Sequence, residues 1–151
     1  MDRPAADVLV DTSVWSLLLR RAGLKPTDHL VGPERIALEA LRELVVEGVA
    51  WMPGPVRQEL LSGVRSAAQY AILLRAVREF ETPVPENIDY EYAGECSNAC
   101  RACGVQGSGT DFLLAAMALR YRLSILTLDD DFFHFRKALP LELHAASSRK
   151  N

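Results

Sequence analysis

Apolar positions along the chain fall into short runs and helical stripes that alternate. Val8 to Val10 is a short apolar run that ends in Asp11-Thr12-Ser13. It reads as a buried strand followed by the polar residues that start helices. Val14 to Arg21 is the first expected helix, and Ala22 to Pro33 reads as a loop. From Glu34, the apolar residues Ile36, Ala37, Leu41, Leu44 and Val45 recur at helical spacing, and Gly48 stands where a left-handed cap belongs. Val49 to Met52 predicts the second strand. Pro55 is suited to the first turn of the next helix, which carries Glu59 and stops near Gly63.

Ser66 opens a further helix with Ala67, Tyr70, Leu73, Leu74 and Val77 on one face. Phe80 to Pro85 is extended, with room for a short strand. Ile88 to Cys103 reads as helix, closing near Gly104. Gly107 to Thr110 is a turn before the apolar helix Asp111 to Arg120, and Leu123 to Leu128 is an apolar strand that ends at Asp129. A short aromatic helical turn follows, Leu141 to Leu143 is a candidate edge strand, and the polar tail from Ser147 is expected to fray. Strands that alternate with helices predict an α/β fold: three layers, α/β/α, around a central, mainly parallel sheet. Residues 1–146 form the expected domain and 147–151 the tail.

Length and composition agree with one soluble domain. The 151 residues are 49% apolar and 25% charged, enough for a sizeable core. No apolar run approaches the roughly 20 residues of a membrane span, and no secretory leader is apparent. Three cysteines, an odd count gathered in one segment, argue against a secreted disulfide framework and for a reducing, cytoplasmic setting. The net charge of −3 does not announce a nucleic-acid binder. Clustered carboxylates that hold a cation change that picture, because the ion brings positive charge that composition does not record.

Ligands of open α/β sheets bind at the carboxyl ends of the strands. Asp11 and Asp129 each end a strand, Asp111 opens the helix before the last main strand, and Glu59 lies about a turn into the helix after the second. The four can therefore meet at one edge. Taken singly, each acid has an ordinary reading as a helix cap or a solvated residue. Together they would repel one another without a cation, and hard oxygen donors suit Mg2+ or Mn2+.

Four segments resemble the motifs of PIN-domain ribonucleases, in order and across essentially the whole chain. They are Val10-Asp11-Thr12-Ser13-Val14-Trp15, Val56-Arg57-Gln58-Glu59-Leu60-Leu61-Ser62-Gly63, Thr110-Asp111-Phe112-Leu113-Leu114-Ala115-Ala116-Met117-Ala118-Leu119 and Ile125-Leu126-Thr127-Leu128-Asp129-Asp130-Asp131-Phe132. Size and opening motif look most like a VapC-type toxin of a toxin–antitoxin pair. The resemblance implies a PIN-like fold and endonucleolytic cleavage of RNA by an activated water. It implies Mg2+ (or Mn2+) ligation by Asp11, Asp111 and Asp129, with Glu59 holding a metal-bound water or a second ion. Thr12 or Ser13, and Thr127, would hydrogen-bond the carboxylates or a phosphate. Asp131 either joins the site or caps the short helix. The partners implied are RNA, a cognate antitoxin protein and a second copy of the chain; the alternative is a non-catalytic PIN-like module that binds RNA or protein.

Other features have competing readings. Cys96, Cys100 and Cys103 have the spacing of an iron–sulfur motif, but on a helix they read as small packing residues sharing one face. A haloacid-dehalogenase-like phosphatase would need an aspartate where Ser13 stands. Trp15, Leu17, Leu18 and Leu19 are expected mostly in the core. Arg20, Arg21, Arg57, Arg65 and Arg101 are candidates to track an RNA backbone, with scattered surface arginines as the plain alternative. His134 reads as a surface or packing residue.

Overall fold

The computed structural model describes residues 6–19, 29–80 and 83–149. Its sheet has three parallel strands in the order β2-β1-β3, with β1 at Val8–Val10, β2 at Ala50–Trp51 and β3 at Ser124–Leu126. Val8 pairs with Ala50 on one side and Ser124 on the other, and Leu9 with Trp51 and Ile125. All three residues of β1 are buried, which explains why the strand is continuously apolar rather than alternating. The expected edge strand at Leu141 to Leu143 contributes one isolated parallel bridge, Leu143 to Ile125.

Helix α1 (Thr12–Leu19) packs on α2 (Gly32–Glu47) and on α3 (Gly54–Leu61), and α3 packs on α4 (Ala67–Arg78). A second group comprises α5 (Asn87–Ala102), α6 (Gly109–Tyr121) and α7 (Asp130–Phe135). With the sheet these make the expected three-layer α/β/α arrangement. Most of the loop expected over Ala22 to Pro33, and the end of the first helix, lie outside the described residues, as does part of Phe80 to Pro85; its described part holds no strand. Gly48 takes the left-handed conformation at φ +73°, and the α2 carbonyls of Leu44 and Val45 accept hydrogen bonds from residues at the cap. Ser66 caps α4 through Gln69 N–H. On α4 only Leu73 and Val77 of the expected face are buried, because α4 packs mainly on short α3.

Helix α6 is the centre of the core. Every residue from Phe112 to Ala118 is buried, as a helix apolar on all sides requires, and α6 packs chiefly on α5. Cys96 and Cys100 face the core from α5, whereas Cys103, expected on the same face, is exposed at the cap where the helix ends. Trp15 and Leu17 are buried, with Leu18 and Leu19 packed against the core.

The tail differs most from expectation. Ser147 Oγ donates to the Ile125 carbonyl and accepts from Thr127 N–H, and Ser148 N–H donates to the Thr127 carbonyl. Ser147 and Ser148 are therefore tied to the end of β3. Hydroxyl groups, which composition marks as polar loop, here satisfy backbone groups that the short sheet leaves open.

Candidate active site

Strands β1 and β3 are neighbours, and their connections leave to opposite sides, β1 toward β2 and β3 away from it. Such a switch point leaves a crevice at the strand carboxyl ends. Asp11 and Asp129 lie at its two lips, one residue past the end of β1 and three past the end of β3. The lips are joined directly: Asp11 N–H donates to the Leu126 carbonyl.

Hydroxyl groups complete the join. Ser13 Oγ donates to Asp11 Oδ1 at 2.5 Å and accepts from Leu128 N–H at 3.0 Å. Thr127 Oγ1 donates to Asp11 Oδ2 at 2.8 Å and accepts from Asp129 N–H at 2.9 Å. Each hydroxyl thus uses both of its roles to bridge the strands, and both oxygens of Asp11 are held. Thr12 points elsewhere and donates to Glu59 Oε2 at 2.8 Å. It brings the exposed Glu59 of α3 to the rim, near enough for its charge to act on Asp111.

Asp111 arrives from the other group of helices. Ser108 caps α6 by accepting Asp111 N–H at 3.1 Å. The preceding loop is seated by Gly107, where a Cβ would lie 2.4 Å from the buried Phe135 ring. Gly107 serves the turn before Asp111, as the sequence suggests; Ser108 was not singled out, although a serine three residues before a helical aspartate is an N-cap signature. Asp129 caps α7 through Asp131 N–H at 2.9 Å, which turns Asp131 back toward the crevice. As a result, one oxygen each from Asp111, Asp129 and Asp131 lie within 4.8 Å of one another. Asp131, ambiguous in the sequence, joins this group. Asp11 lies behind it, 4% exposed and bound by its hydroxyl partners.

The electrostatics reflect crowding of like charge. Burial pushes the Asp11 carboxyl up to about 7, against the hydrogen bonds of Ser13 and Thr127, with smaller contributions from Asp129 and Asp111. Burial likewise raises Asp111 to about 6, opposed by Ser108 and aided by Asp129, Asp131 and Glu59. Asp131 moves in the same direction through burial and the charge of Asp129. A donor set of hard carboxylate oxygens, close together and costly to ionise without a counter-charge, fits Mg2+ or Mn2+. An open depression lined by Ser13, Leu128, Asp129 and Asp130 gives access beside it.

The family model of the PIN domain matches residues 8–138, which contain all of these acids. The chain belongs to the PIN-domain family. Over 129 residues this PIN domain is 31% identical to a VapC ribonuclease of Mycobacterium bovis, spanning 83% of this chain and 88% of that protein. The ribonuclease VapC11 of Mycobacterium tuberculosis matches to the same extent. A chain in the crystal structure of FitAcB from Neisseria gonorrhoeae shares the PIN fold, with a TM-score of 0.68 at 17% identity, over 92% of this chain and 97% of that one.

Proposed function

We propose that the protein is a Mg2+- or Mn2+-dependent endoribonuclease that acts in the cytoplasm as the toxin of a toxin–antitoxin pair. The observation that carries this reading is the gathering of Asp111, Asp129 and Asp131 within 4.8 Å, at the switch point of the sheet and beside Asp11. The relatives named VapC ribonucleases make RNA the substrate of choice. Asp11, Asp111 and Asp129 hold the ion, and Asp131 joins them. The ion supplies water activation and offsets charge on the phosphodiester.

The chain's own groups set the geometry. Ser13 and Thr127 fix both oxygens of Asp11, so it needs no reorganisation when phosphate arrives. Thr12 holds one oxygen of Glu59, leaving the other to orient water at the rim. Ser108 and Gly107 set the position of Asp111.

Asp111→Asn is expected to abolish cleavage of single-stranded RNA while circular dichroism stays parental. Parental cleavage by that variant would remove the assignment. The toxin role has a separate readout: induced expression arrests growth, and Asp111→Asn relieves the arrest. Growth unaffected by the parent protein would leave a nuclease without a toxin role. A cognate antitoxin and a second copy of the chain are the protein partners this reading calls for.

A further inference from the structure

The crevice is acidic and the chain carries net charge −3, so an RNA strand crossing it needs local cations. Of the arginines expected from sequence, Arg57 is bound to the Phe80 carbonyl and Arg101 to Asn98, Arg65 is exposed between α3 and α4, and Arg20 and Arg21 lie outside the described residues. A different pair is held against one ring. The Arg136 guanidinium lies 5.3 Å from the centre of the Phe133 ring, and that of Arg149 lies 5.8 Å from the same ring. Arg149 also meets His134 Nε2 at 2.7 Å. Both arginines are exposed, and neither pairs with a carboxylate among the described residues.

The fold places this pair beside the acids by two independent routes. Phe133, His134 and Arg136 continue from α7, whose first turn holds Asp131, and His134 is close enough to act on the Asp131 charge. Arg149 reaches the same ring because Ser147 and Ser148 bind the tail to Ile125 and Thr127, the latter a partner of Asp11. Two like charges held against one ring repel each other, and an anion relieves that repulsion. A guanidinium stacked on a ring keeps its in-plane N–H donors available for phosphate oxygens.

We propose that Arg136 and Arg149, held by Phe133, bind phosphates of the RNA strand next to the one that is cut. The inference rests on the ribonuclease reading for its substrate. The test is equilibrium binding of a short fluorescein-labelled single-stranded RNA, followed by anisotropy in EDTA, where no cleavage occurs, over a series of salt concentrations. Each lost phosphate contact lowers the slope of log K against log salt by about 0.7 for a single strand. The double variant Arg136→Ala, Arg149→Ala is expected to lower it by about 1.4, and the double lysine variant, which keeps the charges, to restore it. A parental slope in the alanine variant overturns the proposal. Failure of the parent protein to cleave RNA would instead defeat the ribonuclease reading, and the slope would still decide the binding site.

Discussion

The cost of burying Asp11 is measurable as a pH dependence of stability. Burial pushes its carboxyl up to about 7 in the fold, from the ordinary value of 3.8. The fold therefore binds this proton more tightly than the unfolded chain does. Its contribution to stability is fully present below pH 3.8 and is lost as pH rises through 7. Linkage between these two values gives about 3 kcal/mol in favour of the fold at pH 5 and nearly nothing at pH 8, a loss of about 2–3 kcal/mol. For a chain of this size that corresponds to roughly 5–10 °C in Tm. Asp111 acts in the same direction. Asp11→Asn removes the titration while keeping the shape of the side chain. Denaturant unfolding in EDTA at pH 5 and pH 8 is then expected to show a pH loss smaller by about 2–3 kcal/mol in the variant than in the parent. Mg2+ or Mn2+ should stabilise the parent more at pH 8 than at pH 5, because ligation competes with protons. Equal pH losses in parent and variant would refute the claim that Asp11 is buried at a cost which a cation offsets.

Two other predictions concern the supports of the site. Gly107→Ala drives a methyl group into the stacked pair Phe112 and Phe135, whose centroids are 4.6 Å apart; overpacking of this kind costs about 1–3 kcal/mol. RNA cleavage should fall as well, since the loop that sets Asp111 must shift, and parental activity with parental Tm would exclude this role. Arg120→Ala leaves Asp89, fully buried and already with one oxygen lacking a partner, without its counter-ion. Melting should move down in the variant and recover in part when Asp89→Asn is added, and an unchanged Tm would show that the pair is not structural.

Much of this site is legible in the sequence, because its parts obey local rules. Asp11 directly follows the apolar strand β1, Asp129 follows the apolar segment β3 with Thr127 and Leu128 continuing it, and Asp111 follows a cap and opens an apolar helix, so their edge of the sheet is fixed by chain order alone. The division of labour among the acids is not local. Asp131 enters the group because Asp129 caps its N–H, and Asp11 recedes because Ser13 at the start of α1 and Thr127 just after β3 close on it. These are hydrogen bonds between residues more than a hundred positions apart, or geometries of a single turn. Hydropathy periods carry neither. The tail shows the same limit: Ser147 is polar by composition, and its anchoring depends on β3 having open backbone groups at its end. Cys103 fell off the expected face because α5 stops one residue before it.

The central claim is that these acids hold a divalent ion and cut RNA with it. Its most direct test is cleavage of a fluorogenic single-stranded RNA by chelator-stripped protein, with Mg2+ or Mn2+ added back, beside Asp129→Asn. The account expects no cleavage without the ion, recovery on addition to the parent, and no recovery in the variant. Cleavage by the stripped parent in EDTA, or full recovery by Asp129→Asn, would contradict it.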